Sequence, residues 1–236
     1  MELILTIFNE VLYRPLFNAL IYLYQLLPIS DLGLAIIVLT LIIRFILYPL
    51  SKKAIRSQKE LSKLQPKMKE VQNKYKDNKD QQAKAMMELY KEHKVNPAAG
   101  CLPILVQIPI LIALYRVFLT GVNGEQMDAL YSFVSQPETI NFIFLGLIDL
   151  SERSIVLAFL VGISQFIQSK MMLNNKSMPK SKSKNSGLDF SSMMSQQMTY
   201  FMPVISVFIA WTLPAALPLY WLVNTVFGIV QQYFTK

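Results

Sequence analysis

The chain has 236 residues, of which 53% are hydrophobic, and carries a formal net charge of +8. Its mean hydropathy is +0.36. These values exclude an ordinary soluble domain and a disordered chain, and they place the sequence among polytopic membrane proteins. A single cysteine, Cys101, excludes an intramolecular disulfide framework.

Residues 1–31 form the first element. They are apolar and aromatic but are interrupted by Asn9, Glu10, Arg14 and Pro15. The stretch 16–27 reads as an amphipathic helix lying on the outer membrane interface. The alternative is a further span, which would put the N-terminus inside. MELILTIFNEVLYR has neither a basic start nor a small-residue cleavage site, so no cleavable leader is expected.

Residues 32–50, LGLAIIVLTLIIRFILYPL, are the first expected span. Arg44 interrupts an otherwise apolar run. An arginine near the centre of a spanning helix costs roughly 2.5–3.5 kcal/mol and stays charged. The Leu, Ile, Val and Phe residues around it return on the order of 4–8 kcal/mol. The segment can therefore cross despite the charge. Either Arg44 snorkels to the cytoplasmic headgroups, or it faces a partner or a wet cavity.

Residues 51–100 are rich in lysine, with no glycine before Gly100. Ala54, Leu61, Leu64, Met68, Val71 and Tyr75 follow a heptad seam. Asp77-Asn78-Lys79-Asp80 breaks the seam, and Ala83, Met86 and Tyr90 resume it. The pattern predicts a cytoplasmic antiparallel helical hairpin, with Pro66 kinking or restarting its first arm.

Four more spans are expected at residues 102–119, 154–173, 198–213 and 215–234. An extracytoplasmic loop covers 120–153, and a mobile Ser/Lys/Asn-rich cytoplasmic loop covers 174–197. With the hairpin, the 170–197 region and the C-terminus inside, 19 of the 23 basic residues are cytoplasmic. Five spans then put the N-terminus outside and the C-terminus inside.

The spanning segments contain no Asp or Glu. Arg44 therefore depends on amides, carbonyls, water or an incoming acidic group. Thr40 shares its helix face at i−4. On the last span Trp221, Asn224, Gly228 and Gln231 are spaced 3, 4, 3 and share a face, the third span offers Gln165 and Gln168, and the second offers Gln107; together these could line a polar, partly hydrated cavity around Arg44. Each amide alone could equally be glue between helices. His93, the one histidine, reads as solvated or packing. Hydrolase and metalloenzyme motifs are absent, so no catalytic residue, cofactor or metal is expected. No nucleic-acid motif appears.

Four stretches carry a family resemblance. They are RFILYPLSKKAIRSQK with LQPKMKEVQNKYKDN after it, MELYKEHKVNPAAGCLPILVQIPILIALYRVF, FIFLGLIDLSERS, and LPAALPLYWLVNTVFGIVQQ. The chain resembles the YidC/Oxa/Alb family of membrane protein insertases over most of its length. With no large extracytoplasmic domain, it is most similar to the small bacterial form. Its end at Phe234-Thr235-Lys236 has no long basic tail, so ribosome docking through such a tail is not expected.

The resemblance implies an all-α fold of five transmembrane helices around a hydrophilic groove. The groove would open to the cytoplasm and to lipid, with Arg44 as its arginine. It implies an insertase and chaperone of the bacterial inner membrane, not an enzyme. Nascent membrane protein clients and the lipid bilayer would be its partners, with the ribosome or the general secretion channel as further candidates. The competing expectations are a small anion channel or carrier that uses the same arginine, and a chaperone that holds spanning helices without inserting them.

Overall fold

In a computed structural model of the chain, the described residues are 2–96, 102–121, 127–173 and 190–235. They are mostly helical. Helix α1 (Glu2–Phe8) passes through a π-helical stretch, Asn9–Tyr13, into α2 (Arg14–Leu26). Helices α3 (Leu32–Ile46), α4 (Tyr48–Lys74), α5 (Lys79–Glu92) and α6 (Leu102–Arg116) follow. Helix α6 ends in a π-helical turn, Val117–Gly121. A short antiparallel hairpin, β1 (Ile143–Phe144) and β2 (Ile148–Asp149), comes next. Helices α7 (Ile155–Leu173), α8 (Phe190–Thr212) and α9 (Ala216–Phe234) complete the chain.

The run 32–50 is not one helix. Helix α3 stops at Ile46, and the axis turns by 67° into α4. Pro49 explains the break. It has no N–H to give to the Phe45 carbonyl, and it sits in the first turn of α4, where a proline suits the start of a new helix. The bend stays bonded, because Leu47 N–H reaches Ile43 O at 3.0 Å and Ser51 N–H reaches Leu47 O at 2.9 Å.

Among the described residues, no single helix is long and apolar enough to cross a membrane, whereas the bent pair α3–α4 passes that test together. The apolar stretches of α6, α7 and α8 cover Leu105–Leu119, Ile155–Met171 and Tyr200–Thr212. The longest of these is about 26 Å at 1.5 Å per residue, short of a hydrocarbon core of about 30 Å.

The hairpin α4–α5 is antiparallel. Gln82 Nε2 donates to Gln72 O at 3.0 Å, and Tyr90 Oη donates to Met68 Sδ at 3.9 Å. Lys67 Nζ donates to His93 Nε2 at 2.8 Å. A lysine ammonium only donates, so His93 accepts at Nε2 and donates from Nδ1 to Leu89 O at 3.0 Å. Helix α4 runs through Pro66 without restarting. Burial raises the Tyr90 phenol above its ordinary pKa.

The connection over residues 127–153 is more ordered than a plain loop, because it caps two helices. Helix α3 begins with four amides that have no partner of their own within the helix. Leu32 N–H donates to Asn141 O at 3.2 Å, and Ala35 N–H donates to Asp31 O at 3.2 Å. Gly33 and Leu34 donate to Asp31 Oδ1 at 2.7 and 3.2 Å. Helix α9 is treated likewise: Ala215 N–H donates to Glu152 O at 2.7 Å, and Ala216 N–H donates to Leu150 O at 3.1 Å.

Helix α2 packs on the same loop. Its buried face carries Tyr13, Phe17, Leu20, Ile21 and Tyr24. Asn18 is buried among them. It donates to Arg14 O and Ala129 O, and it accepts from Tyr131 N–H at 2.6 Å. Together with Leu32, Ile36, Leu114, Leu150 and Leu217, the apolar residues of this face form one core. Residues 190–197 are helical rather than part of a loop. The rest of the expected mobile loop, 174–189, and Cys101 lie outside the described residues.

Candidate functional site

Helices α3 and α9 pack side by side and bring Arg44 to α9. The guanidinium Nη2 donates to the main-chain oxygen of Asn224 at 2.7 Å. Its carbon lies 5.9 Å from the centre of the Phe227 ring, in a cation–π arrangement. Phe227 is held in turn by an edge contact with Phe45, centroids 5.4 Å apart. The buried Nε of Arg44 has no acceptor among the described residues. No ion pair there engages Arg44 either.

Gly228 makes room for a neighbour. A Cβ at that position would lie 2.5 Å from Gln168 Nε2 and 3.8 Å from Arg44 Nη2. The missing side chain therefore lets the α7 amide of Gln168 reach α9 next to the arginine. On the other flank, Gln107 Nε2 of α6 donates to the hydroxyl of Tyr220.

The other expected site residues sit differently. Thr40 is buried, but its hydroxyl donates to Ile36 O at 2.6 Å, one turn back on its own helix. A threonine in a helix satisfies its hydroxyl locally in this way. Trp221 packs beside Ala158, Val161 and Ala210 of α7 and α8. Asn224 meets Arg44 through its backbone rather than its amide. Gln165 is half-buried on α7 and makes no hydrogen bond to Arg44 among the described residues; Gln168 is the α7 amide that lies against Gly228. Tyr220 escaped the sequence reading, although Tyr220, Asn224 and Phe227 follow a 4,3 spacing that marks one helix face.

A second polar cluster fastens the α4–α5 hairpin. Gln231 is buried near the C-terminal end of α9. Its Nε2 donates to Ser51 Oγ at 2.8 Å and to Tyr48 O at 3.3 Å. Lys59 Nζ donates to Gln232 O at 3.4 Å and also to Thr235 O. An ammonium on the last carbonyls of a helix is favourable for the helix dipole. The first arm of the hairpin thus rests on the helix that also supplies the carbonyl for Arg44.

A largely helical fold without a strand-rich domain, with large apolar side chains exposed along α6, α7 and α8, is that of an all-α membrane protein. The family model of the 60Kd inner membrane protein matches residues 22–236. The chain belongs to this family, that of the YidC/Oxa/Alb insertases. A relative in Geobacter metallireducens, named membrane protein insertase YidC, is 35% identical over 226 residues, covering 95% of this chain and 36% of that protein. One in Francisella philomiragia with the same name is 40% identical over 87% of this chain and 32% of its own. One in Fusobacterium nucleatum, also so named, is 35% identical over 87% of this chain and 86% of its own. The chain thus spans about a third of the Geobacter relative and most of the Fusobacterium one.

Proposed function

We propose that this chain is a membrane protein insertase and chaperone of the bacterial inner membrane. It inserts small membrane proteins and helps them fold. The reading assigns five crossings, with α3 and the bend into α4 as the first. The N-terminus lies outside, the α4–α5 hairpin and the C-terminus inside. Thr40, Gln107, Gln165, Trp221 and Asn224 are assigned with Arg44 to a hydrophilic groove between the helices.

One observation carries the reading. Arg44 is a fixed positive charge on an apolar helix, bonded to one backbone carbonyl, with a buried Nε that lacks an acceptor. Such a cation attracts an acidic client segment entering from the cytoplasm, and polar neighbours shorten its path through hydrocarbon. The client's own apolar helix then partitions into lipid, which supplies the driving force. No nucleotide, cofactor or bond-making step is required. Nascent clients and lipid are the partners, with the ribosome and the secretion channel as candidate collaborators.

The test is reconstitution in liposomes, with a single-spanning client translated beside them and protease protection as the readout. Protection with the natural chain that is lost with Arg44→Ala and partly kept with Arg44→Lys is the expected result. Equal protection with Arg44→Ala would overturn the role of the charge. Anion flux through the same liposomes, abolished by Arg44→Ala and without client protection, would establish the channel reading instead.

A further inference from the structure

The β1–β2 turn carries apolar side chains that contribute nothing to the core. Leu147 is 85% exposed and Leu145 is 59% exposed. Leu145 has φ of +51°, and Gly146 follows at +72°. A bulky residue in the left-handed region is an outlier, since its Cβ crowds the backbone there. The chain therefore holds an exposed leucine in an unfavourable conformation. Strain of this kind persists where the surroundings impose it, and it gathers at working sites.

The surroundings do impose it. Leu145 N–H donates to Asp31 Oδ2 at 2.8 Å, and Asp31 is the residue that caps α3. Leu147 N–H closes the turn on Phe144 O at 3.0 Å. The Phe144 ring lies against Gly33, where a Cβ would sit 2.1 Å from Cδ2. The tip is thus fastened rigidly to the first turn of α3.

Polarity is graded along the hairpin. Asn141 and Asp149 stand at the base and bond locally, Asn141 Oδ1 to Ile143 N–H and Asp149 Oδ1 to Ser151. Residues 142–148, FIFLGLI, carry no charge or polar side chain. Ile29, just before the cap of α3, is also exposed.

We propose that the Leu145–Leu147 tip is a membrane-interface anchor that inserts into the headgroup and acyl boundary of the outer leaflet. The partner is lipid for three reasons. The tip is tied to the end of α3 that meets the outer face in the reading above. It continues an apolar surface at that helix end. It also lacks the charges that a protein partner's polar rim would engage. Apolar side chains on a rigid loop with a polar base suit this boundary layer. The anchor would hold the outer end of the helix bundle at a set depth while clients pass. It rests on the chain lying in a bilayer with α3 crossing it.

The experiment uses the full chain with Cys101→Ala, reconstituted in phospholipid vesicles. Single cysteines replace Leu147, Glu138 of the same loop, and Phe159 on the exposed face of α7, and each carries a nitroxide. Collision with oxygen, which concentrates in lipid, is compared with collision with a water-soluble nickel complex. The expected result is an oxygen-to-nickel ratio at 147 several-fold above that at 138 and approaching that at 159. A ratio at 147 equal to that at 138, with 159 still in lipid, would overturn the anchor and leave the bilayer reading standing. Nickel access at all three sites would overturn both. Poor access to either reagent at 147, with spin–spin broadening, would overturn the anchor in favour of contact with a second copy.

Discussion

Arg44 and Asn224, 180 residues apart, meet through a side chain on one helix and a backbone carbonyl on another. The carbonyl is accessible because a helix oxygen can accept a second bond beside its own ladder bond. The amide of Asn224 is not needed for this contact. Asn224→Ala should therefore keep client insertion within about fivefold of the natural chain, the equivalent of about one lost hydrogen bond of ~1 kcal/mol. Arg44→Ala should fall well below that. Insertion measured side by side for the two variants checks the ordering, and an equal loss would assign the asparagine side chain a role of its own.

Gly228 separates two effects of size. An added methyl meets only the far end of the flexible Gln168 side chain. Helix propensity favours alanine over glycine by about 1 kcal/mol. Gly228→Ala should leave thermal stability unchanged or slightly raised. Gly228→Leu must displace both Gln168 and the guanidinium, so its insertion activity should fall while helical content is kept. Circular dichroism melts and the insertion assay together decide this.

The seat of the α4–α5 hairpin rests on Lys59, Ser51 and Gln231. Gln231→Leu removes the side-chain hydrogen bonds that Gln231 makes with Ser51 and Tyr48 from a buried position, at about 0.5–1.5 kcal/mol each. Amides in the first turns of α4 should then exchange with deuterium about tenfold faster or more, while those of α3 do not change. Lys59→Met should act in the same direction, and Lys59→Arg should restore protection because a donor and a charge remain at the helix end.

Asp149 offers a test by pH. Hydrogen bonds from the Ser151 hydroxyl and amide hold its carboxyl below the usual aspartate range. A lowered pKa in the fold means that these bonds favour the folded loop above the ordinary aspartate pKa. The contribution fades as pH falls through the folded value. Ser151→Ala should move the Asp149 titration, followed by carboxyl NMR shifts, back toward the ordinary value. An unmoved midpoint would reject the assignment.

Much of this protein was legible along the chain. Helical class follows from apolar periodicity, and family membership from four stretches of specific sequence. Both depend on residues close together in sequence, where 3.6-residue spacing and the membership of short motifs are visible. The salience of Arg44 was likewise local: a charge inside an apolar run needs no tertiary information to be noticed.

The neighbours of Arg44 were not legible in this way. Thr40 lay on the expected face, yet a hydroxyl reaches its own i−4 carbonyl more easily than a guanidinium one turn on. Asn224 stands out in sequence by its amide, yet it is the main-chain carbonyl that meets Arg44. Tyr220 carries no mark of its own in sequence, because a tyrosine in an apolar helix reads as packing until its hydroxyl is seen to accept from Gln107. The two-stranded hairpin between α6 and α7 was also hidden. Its strands are two residues each, too short for alternation to register.

Sequence alone determined that the chain is helical and apolar, that it belongs to its family, and that one arginine stands out, because composition, period and motif are properties of neighbouring residues. Tertiary structure alone decided that α9 meets α3 at Asn224, that Gly228 admits Gln168, that Gln231 seats the hairpin and that Asp31 holds a leucine turn. These contacts join positions more than a hundred residues apart, or depend on a side chain that is missing. They exist only once packing has chosen which helices touch.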